Sequence, residues 1–212
     1  MSFEFKAGEL CLDFINTLDN RPVPERLHEL LGSYADLAEW AAQAGVISPK
    51  LRASLVQQAK LHPEKANAVL RQAIDFRETL YRIVESRLAK RDLAEADRRA
   101  FNSVHSEALS HLELRATRQG FELDWPQDHA NLEAIVWPIA RSAGRLLTSH
   151  ALRRIRECGS KTCRWLFVDR SKNGSRRWCD MKVCGNRTKA QKFYRRKKAH
   201  IKPHQPHSHQ PH

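Results

Sequence analysis

Apolar side chains recur every three to four positions through most of residues 1–151, which is the spacing of amphipathic helices. The earliest stripe consists of Leu10, Phe14, Ile15 and Leu18, and it predicts a short first helix. Five such helices indicate that this part of the chain is an α-helical bundle. The four longer helices are predicted at residues 33–44, 48–59, 63–88 and 92–112.

Start and stop signals accompany the predicted helices. Ser33 can cap a helix N-terminus with its side chain, and Gly45 follows the last apolar residue of that helix. Ser48 with Pro49, and then Pro63, favour the starts of the next two helices, because proline suits the first helical turn. Asp92 is the candidate cap of the fifth helix.

The periodicity changes after the fifth helix. Residues 114–117 and 121–125 alternate between apolar and polar side chains on either side of a turn at 118–120, which predicts a small β-hairpin. A final apolar stripe from Asn131 predicts a helix that continues to residue 156, with Pro138 kinking it or lying in its first turn. Such a helix joins the bundle to the C-terminal part without a flexible linker.

Four of the five cysteines form two pairs, Cys158-x4-Cys163 and Cys179-x4-Cys184, with fifteen residues between them. Two close pairs that flank a longer loop have the spacing of a tetrahedral zinc site with two ligands on each turn. We therefore predict one structural zinc ion bound by all four thiolates. Disulfide bonds and chance spacing are the alternatives. The N-terminus lacks the apolar core of a secretory signal, which favours a reducing, cytoplasmic location.

The residues around the cysteines predict a compact module. Residues 165–168 have the composition of a strand, Asn173-Gly174 is a hairpin turn signal, and residues 175–178 can return as the partner strand. Gly185 suits a left-handed residue after the second pair, and Thr188 is the candidate cap of a following helix. The predicted fold is therefore mainly α, with a helical N-terminal domain that includes a small β-hairpin, followed by a treble-clef-like zinc finger.

A metal with four protein ligands has no open position for water or a substrate, so the predicted zinc is structural. The zinc deaminase pattern, His-x-Glu with Pro-Cys-x-x-Cys, does not occur in the sequence. We predict no catalytic residues and no enzyme activity. A helical body that is an enzyme, localised by the finger, is the alternative from another functional class.

Charge divides the chain into a nearly neutral body and a basic end. The net charge is +13, and residues 152–203 carry eighteen Lys and Arg against three acidic residues, whereas the remainder has a balance of −2. Clustered cations release counterions from phosphates, so this asymmetry predicts a nucleic-acid partner. A solvated basic tail is the alternative. Charged residues make up 29% of the chain, which is too polar for a membrane span, and we expect no membrane partner.

The motif Cys184-Gly185-Asn186-Arg187, with Trp165-Leu166-Phe167 and the run at 171–179, resembles the CGNR zinc finger, a family named for that motif. Residues 10–18 resemble the opening of the ABATE domain, the usual N-terminal partner of this finger in bacterial stress-response transcription regulators. The resemblance is specific at the finger and weaker in the middle of the chain. It implies an ABATE-like mainly helical domain at 1–151, a CGNR-type finger at 152–199 and a disordered His- and Pro-rich tail at 200–212.

The leading hypothesis is a zinc-dependent DNA-binding transcription regulator whose helical domain senses a small-molecule effector or mediates association. Arginine can read guanine through two hydrogen bonds, while lysine mostly contacts phosphate. A single finger offers little contact area, so sequence-specific binding favours a homodimer. The predicted nucleic-acid contacts are Arg176, Arg177, Arg187, Lys189, Lys192, Arg195 and Arg196.

RNA is the alternative partner, because aromatic side chains of the finger can stack on unpaired bases. The same side chains can instead form the small hydrophobic core that a short module needs. The family resemblance favours DNA. The aromatic residues concerned are Trp165, Phe167, Trp178, Phe193 and Tyr194.

The first predicted helix also contains polar residues and one cysteine. Cys11 has no partner among the other cysteines, and we expect a small buried side chain rather than a reactive thiol. Asp13, Asn16 and Thr17 can bind a ligand or bond to neighbouring loops, and we favour the structural role.

Overall fold

The computed structural model describes residues 2–125 and 131–200, so the tail predicted at 200–212 lies outside the described residues from position 201 onward. The fold is mainly helical, as the sequence predicts, and the described ranges contain three small antiparallel strand pairs, of which the sequence predicts the one within residues 113–124. The helices are α1 Leu10–Ile15, α2 Tyr34–Gln43, α3 Pro49–Leu61, α4 Pro63–Leu88, α5 Glu95–Ser110, α6 Val136–Leu147 and α7 Asn186–His200. The strands are β1 Leu18–Asp19, β2 His28–Glu29, β3 Glu113–Thr117, β4 Gly120–Asp124, β5 Ile155–Glu157 and β6 Leu166–Val168.

Local signals account for the starts of α2 and α3. The Ser33 hydroxyl accepts a hydrogen bond from the Asp36 N–H, and Ser48 accepts one from the Leu51 N–H, so both serines cap their helices as predicted. Asp92 does not cap α5, because that helix begins at Glu95 after Ala94, which offers no side-chain acceptor.

The predicted hairpin is present as β3 and β4. Thr117 pairs with Gly120 across a two-residue turn, and Leu114 lies opposite Leu123. Gly120 has a φ of +140°, a backbone conformation that side chains with a Cβ rarely adopt.

The predicted continuous helix from Asn131 to residue 156 is wrong. The segment begins as a 3-10 turn at Leu132–Ile135, and α6 then ends at Leu147. The Ser149 hydroxyl accepts a hydrogen bond from the Ala151 N–H, which starts a separate 3-10 turn before β5. The link between bundle and cysteines is therefore a short turn followed by a strand, and Pro138 lies in the first turn of α6.

The hydrophobic core is continuous from the bundle into the cysteine module. Phe14 on α1 is fully buried and packs against Trp40, with ring centroids 5.2 Å apart. The whole of β6 is buried, and it contacts α1. Buried residues of the bundle, of β6 and of the four cysteines belong to one hydrophobic cluster. The C-terminal module therefore packs on the bundle through apolar side chains as well as through its link.

A buried arginine stabilises the polar side of the bundle. Arg77 on α4 is 1% exposed, and its two terminal nitrogens each donate to a Glu29 carboxylate oxygen at 2.7 Å. It also donates to the Thr17 hydroxyl at 3.1 Å and to Glu78 at 2.9 Å. These bonds compensate the desolvation of the guanidinium and hold β2 against α4.

Candidate zinc centre and basic groove

The four paired cysteines converge at one buried point. Their sulfur atoms all lie within 4.8 Å of one another. Cys163 and Cys179 are separated by 3.6 Å between sulfurs, and Cys179 and Cys184 by 3.7 Å. Sulfurs placed about 2.3 Å from a tetrahedral zinc ion are about 3.8 Å apart, so the spacing fits Zn²⁺.

The first cysteine turn is shaped by backbone hydrogen bonds. The Cys158 N–H donates to the Trp165 carbonyl at 2.8 Å, and the Gly159 N–H donates to the Arg177 carbonyl at 2.8 Å. A Cβ at position 159 would lie 3.1 Å from that carbonyl oxygen, so glycine permits the close approach of the two segments. This contact brings the segment before Cys179 beside the first turn.

The second cysteine turn is a π-helical turn at Met181–Gly185 that leads directly into α7. The Asp180 carboxylate accepts hydrogen bonds from the Lys182 and Val183 N–H groups and so caps this turn. Thr188 is not the predicted cap, because its hydroxyl donates to the Cys184 carbonyl at 2.8 Å from within α7.

Gly185 has no left-handed φ, contrary to prediction. A Cβ at position 185 would lie 2.5 Å from the sulfur of Met181, but this flexible side chain is 47% exposed and can move aside, so the contact alone does not require a glycine.

The strand pairing of the module differs from the prediction. β6 pairs with β5, and Glu157 lies opposite Leu166, whereas residues 175–178 form no strand. Asp169 closes the loop between β6 and Cys179. Its carboxylate accepts hydrogen bonds from the Ser171 N–H, the Ser171 hydroxyl and the Arg176 N–H. These bonds, above all the one from the Ser171 hydroxyl, hold the pKa of Asp169 below its usual value. The Asp-x-Ser spacing is the sequence signal for this turn.

Crowding of the sulfurs sets their ionisation before metal binds. Hydrogen bonds from Cys163 and Cys179 lower the pKa of Cys158, and the hydrogen bond to Cys158 raises the pKa of Cys163. One thiolate is thus stabilised by its neighbours, while further thiolates repel one another. A divalent cation supplies the positive charge that lets all four ionise.

Arg176 is used inside the protein. Its guanidinium donates to the Trp178 carbonyl at 3.1 Å, to the Cys179 carbonyl, and to the Lys6 carbonyl at 3.1 Å. It also lies 4.3 Å from the centre of the Phe167 ring. These contacts hold the half-buried side chain of Arg176 against the protein, which distinguishes it from the exposed cations predicted beside it.

Three of the other predicted cations meet in one groove. Arg177, Lys192 and Arg195 line a depression between the first cysteine turn and α7. Trp178 lines the same groove, with the Arg177 guanidinium 5.5 Å from its ring centre. Lys161, in the first cysteine turn, also lines it and was missed from the sequence, although a lysine between two metal ligands is a recognisable signal.

The remaining predicted cations lie outside the groove. Lys189 and Arg196 are exposed on α7. Arg187 is exposed in the first turn of α7, beside the cavity that Cys163, Cys179 and Cys184 line, and it donates to the Thr162 hydroxyl at 3.3 Å. The structure therefore separates Arg187 from the three cations of the groove.

The aromatic residues divide between core and surface. Phe167 is fully buried in the core, Trp165 and Trp178 are half-buried against it, and Trp178 also lines the groove. Phe193 and Tyr194 are 63% and 68% exposed on α7, with ring centroids 5.8 Å apart.

The polar residues of α1 and the turn after it have structural roles, as expected. Asp13 accepts a hydrogen bond from the Ala7 N–H at 2.9 Å, and burial raises the pKa of Asp13 to about 6. The Asn16 side chain bonds to Leu166 of the cysteine module. Cys11 is buried, and desolvation raises the pKa of its thiol to about 12.

Two family models match successive parts of the chain. The family model ABATE, described as "putative stress-induced transcription regulator", matches residues 8–150. The family model of the CGNR zinc finger matches residues 154–197, which include the four cysteines. Together with the converging sulfurs, this match identifies zinc as the cofactor. No curated protein matches the chain. Each helix that the structure describes is too short or too polar to cross a membrane.

Proposed function

Since the chain belongs to the ABATE family and carries a CGNR zinc finger, we propose that it is a zinc-dependent, DNA-binding transcription regulator. The observation that carries this proposal is the basic groove beside the zinc centre, formed by Lys161, Arg177, Lys192 and Arg195. Its cations come from three separate segments that the cysteine cluster draws together.

We propose that Cys158, Cys163, Cys179 and Cys184 bind one zinc ion. The metal supplies folding free energy, because it replaces the repulsion among four crowded sulfurs with four metal bonds. It also fixes the first cysteine turn relative to α7. The width of the basic groove thus depends on zinc.

α7 is the element that contacts DNA in this proposal. Its 15 residues span about 22 Å, and the major groove of B-DNA is wide enough to admit an α-helix. Lys189, Lys192, Arg195 and Arg196 are exposed along it and supply phosphate and base contacts. Arg177 and Lys161 extend the positive surface beyond the helix.

The helical body senses a ligand or mediates association in this proposal. Its core is continuous with β6, so a change in the bundle can alter the position of the finger. Because one finger contacts little DNA, sequence-specific binding is expected of a dimer.

RNA is the second candidate partner, favoured by one observation. Phe193 and Tyr194 are large, exposed aromatic side chains on α7, and such side chains stack on unpaired bases. DNA is preferred because the matching ABATE family is described as a transcription regulator.

The test is selection from random pools of duplex DNA, single-stranded DNA and RNA, performed in parallel with the zinc-loaded protein. We expect duplex DNA to be enriched for a short motif. Lys192→Gln is expected to weaken binding of the enriched duplex, whereas Lys65→Gln, which changes an exposed lysine of α4, serves as the matched control. Enrichment of RNA alone would replace DNA by RNA, and enrichment of neither would overturn the proposal.

A further inference from the structure

A second cavity lies in the helical body, remote from the basic groove. It has a volume of about 360 Å³, within the range of roughly 300–1,000 Å³ that is typical of small-molecule sites. Ile83 of α4, Phe101 of α5, Leu147 of α6 and Leu152 form its apolar floor. The cavity therefore lies where three helices meet the 3-10 turn that precedes β5.

The rim of this cavity is cationic. Arg87 lies in the last turn of α4, and Arg91 follows the end of that helix. Lys90 has a left-handed φ of +54°, and the Arg91 N–H donates back to the Ser86 carbonyl at 2.8 Å. This helix-ending turn reverses the chain and holds Arg91 at the same cavity as Arg87.

The two rim arginines differ in their partners. Arg91 pairs with the half-buried Glu85 at 3.2 Å. Arg87 has no carboxylate or hydrogen-bond acceptor for its guanidinium among residues 2–125 and 131–200. Arg98, also at the cavity, is bonded to Glu95 at 2.5 and 2.7 Å and is therefore neutralised. Arg87 is thus the rim cation that is available to an external anion.

We propose that this cavity binds a small amphipathic anion, a carboxylate attached to an apolar chain or ring. The carboxylate accepts hydrogen bonds from Arg87 and Arg91, while the apolar part covers Ile83, Phe101, Leu147 and Leu152. A guanidinium rim above an apolar floor disfavours cations, because they would be repelled, and disfavours fully polar anions, because they would leave the floor uncovered.

The position of Leu152 gives such a ligand a route to the finger. Leu152 lies in the turn at His150–Arg154, and Arg154 donates to the Asp169 carbonyl at 2.7 Å. A ligand that packs against Leu152 therefore pushes on the segment that holds β5 and the Asp169 loop. This regulatory consequence rests on the proposed DNA binding, whereas the ligand site itself does not.

The test is calorimetric titration of the zinc-loaded full chain with octanoate, alongside octylamine and octanol, which share its eight-carbon chain. We expect octanoate to bind more tightly than either control compound. Replacing Arg87 and Arg91 together by Gln is expected to weaken octanoate binding about ten-fold or more, because two charged hydrogen bonds are lost. Arg71→Gln, an exposed arginine elsewhere on α4, is the matched control and should leave binding unchanged.

A second variant tests the floor independently of charge. Asn102→Trp places a large side chain at the exposed edge of the cavity and should abolish octanoate binding without unfolding the protein. Equal binding of octanoate, octylamine and octanol, or octanoate binding that survives in both variants, would overturn the proposal. Because this readout contains no DNA, a negative result leaves the proposed DNA binding intact, and failure of DNA binding leaves the ligand site intact.

Discussion

The side chain of Asn16 forms two hydrogen bonds with the backbone of Leu166, 150 positions away in the sequence. Its amide nitrogen donates to the Leu166 carbonyl and its amide oxygen accepts from the Leu166 N–H, both at 2.9 Å. Asn16 thereby provides hydrogen-bond partners for the backbone N–H and carbonyl of Leu166, on the side of β6 that faces the bundle. The helical body thus completes a strand of the zinc finger.

We predict that Asn16→Leu destabilises the whole protein by about 2–4 kcal/mol, because two buried backbone groups of Leu166 lose their partners. Urea unfolding of the zinc-loaded protein measures the change. Asn67→Ala, at an exposed site on α4, is the control and should have little effect. A free energy of unfolding unchanged in Asn16→Leu would mean that the finger does not depend on this contact.

Removal of zinc is expected to destabilise the bundle as well as the finger. β6 and the cysteines share the hydrophobic cluster of the body, so disorder of the finger exposes α1. Chelation should lower the midpoint of thermal unfolding measured by far-UV circular dichroism. Protein lacking residues 203–212 should contain one zinc per chain, and Cys179→Ser should contain less than half. An unchanged thermal midpoint after chelation would show that the body folds independently.

Duplex DNA binding should be strongly salt-dependent. Lys161, Arg177 and four cations of α7 are exposed, and neutralisation of about six phosphates gives a slope of about −5 in a plot of log affinity against log salt. Fluorescence anisotropy at salt concentrations from 50 to 200 mM measures this slope. At a slope of about −5, the affinity falls about a thousand-fold over that range. Arg176→Gln should lower the free energy of unfolding and leave this salt slope nearly unchanged. An affinity that does not respond to salt would contradict the basic-groove model.

Arg187 is expected to act on zinc retention. Its guanidinium bonds to Thr162 and lies beside the cavity lined by three of the cysteines, where it favours thiolate over thiol. Arg187→Gln should accelerate transfer of zinc to a chelator while changing DNA affinity less than Arg195→Gln does. The reverse order of effects would place Arg187 in the DNA interface.

Asp13 should make stability fall as the pH rises. Burial raises its pKa from 3.8 to about 6, so the folded state binds its proton more tightly than the unfolded state. The penalty for ionising Asp13 in the folded state therefore grows between pH 4 and 6 and is complete above pH 6. The free energy of unfolding of Asp13→Asn, relative to that of the wild type, should be higher at pH 8 than at pH 5 by about 1 kcal/mol. Urea unfolding of the wild-type protein and of Asp13→Asn at both pH values measures this difference.

Local chemistry along the chain was sufficient for a large part of this description. The serine caps at Ser33 and Ser48, the proline at the start of α4 and the alternation around β3 and β4 act over a few neighbouring residues, so the sequence predicts them. The paired cysteine spacing likewise predicted the cluster that the structure forms, because each pair lies on one short turn.

Tertiary structure decided the features that depend on distant partners. The Asn173-Gly174 turn signal predicted a partner strand at 175–178, yet β6 pairs with β5, and the half-buried Arg176 donates to the Lys6 carbonyl and lies over the Phe167 ring. The shared core and the Asn16–Leu166 bonds were likewise outside the reach of local patterns. Such contacts join residues far apart in the chain, and their free energy depends on burial that only the assembled fold provides.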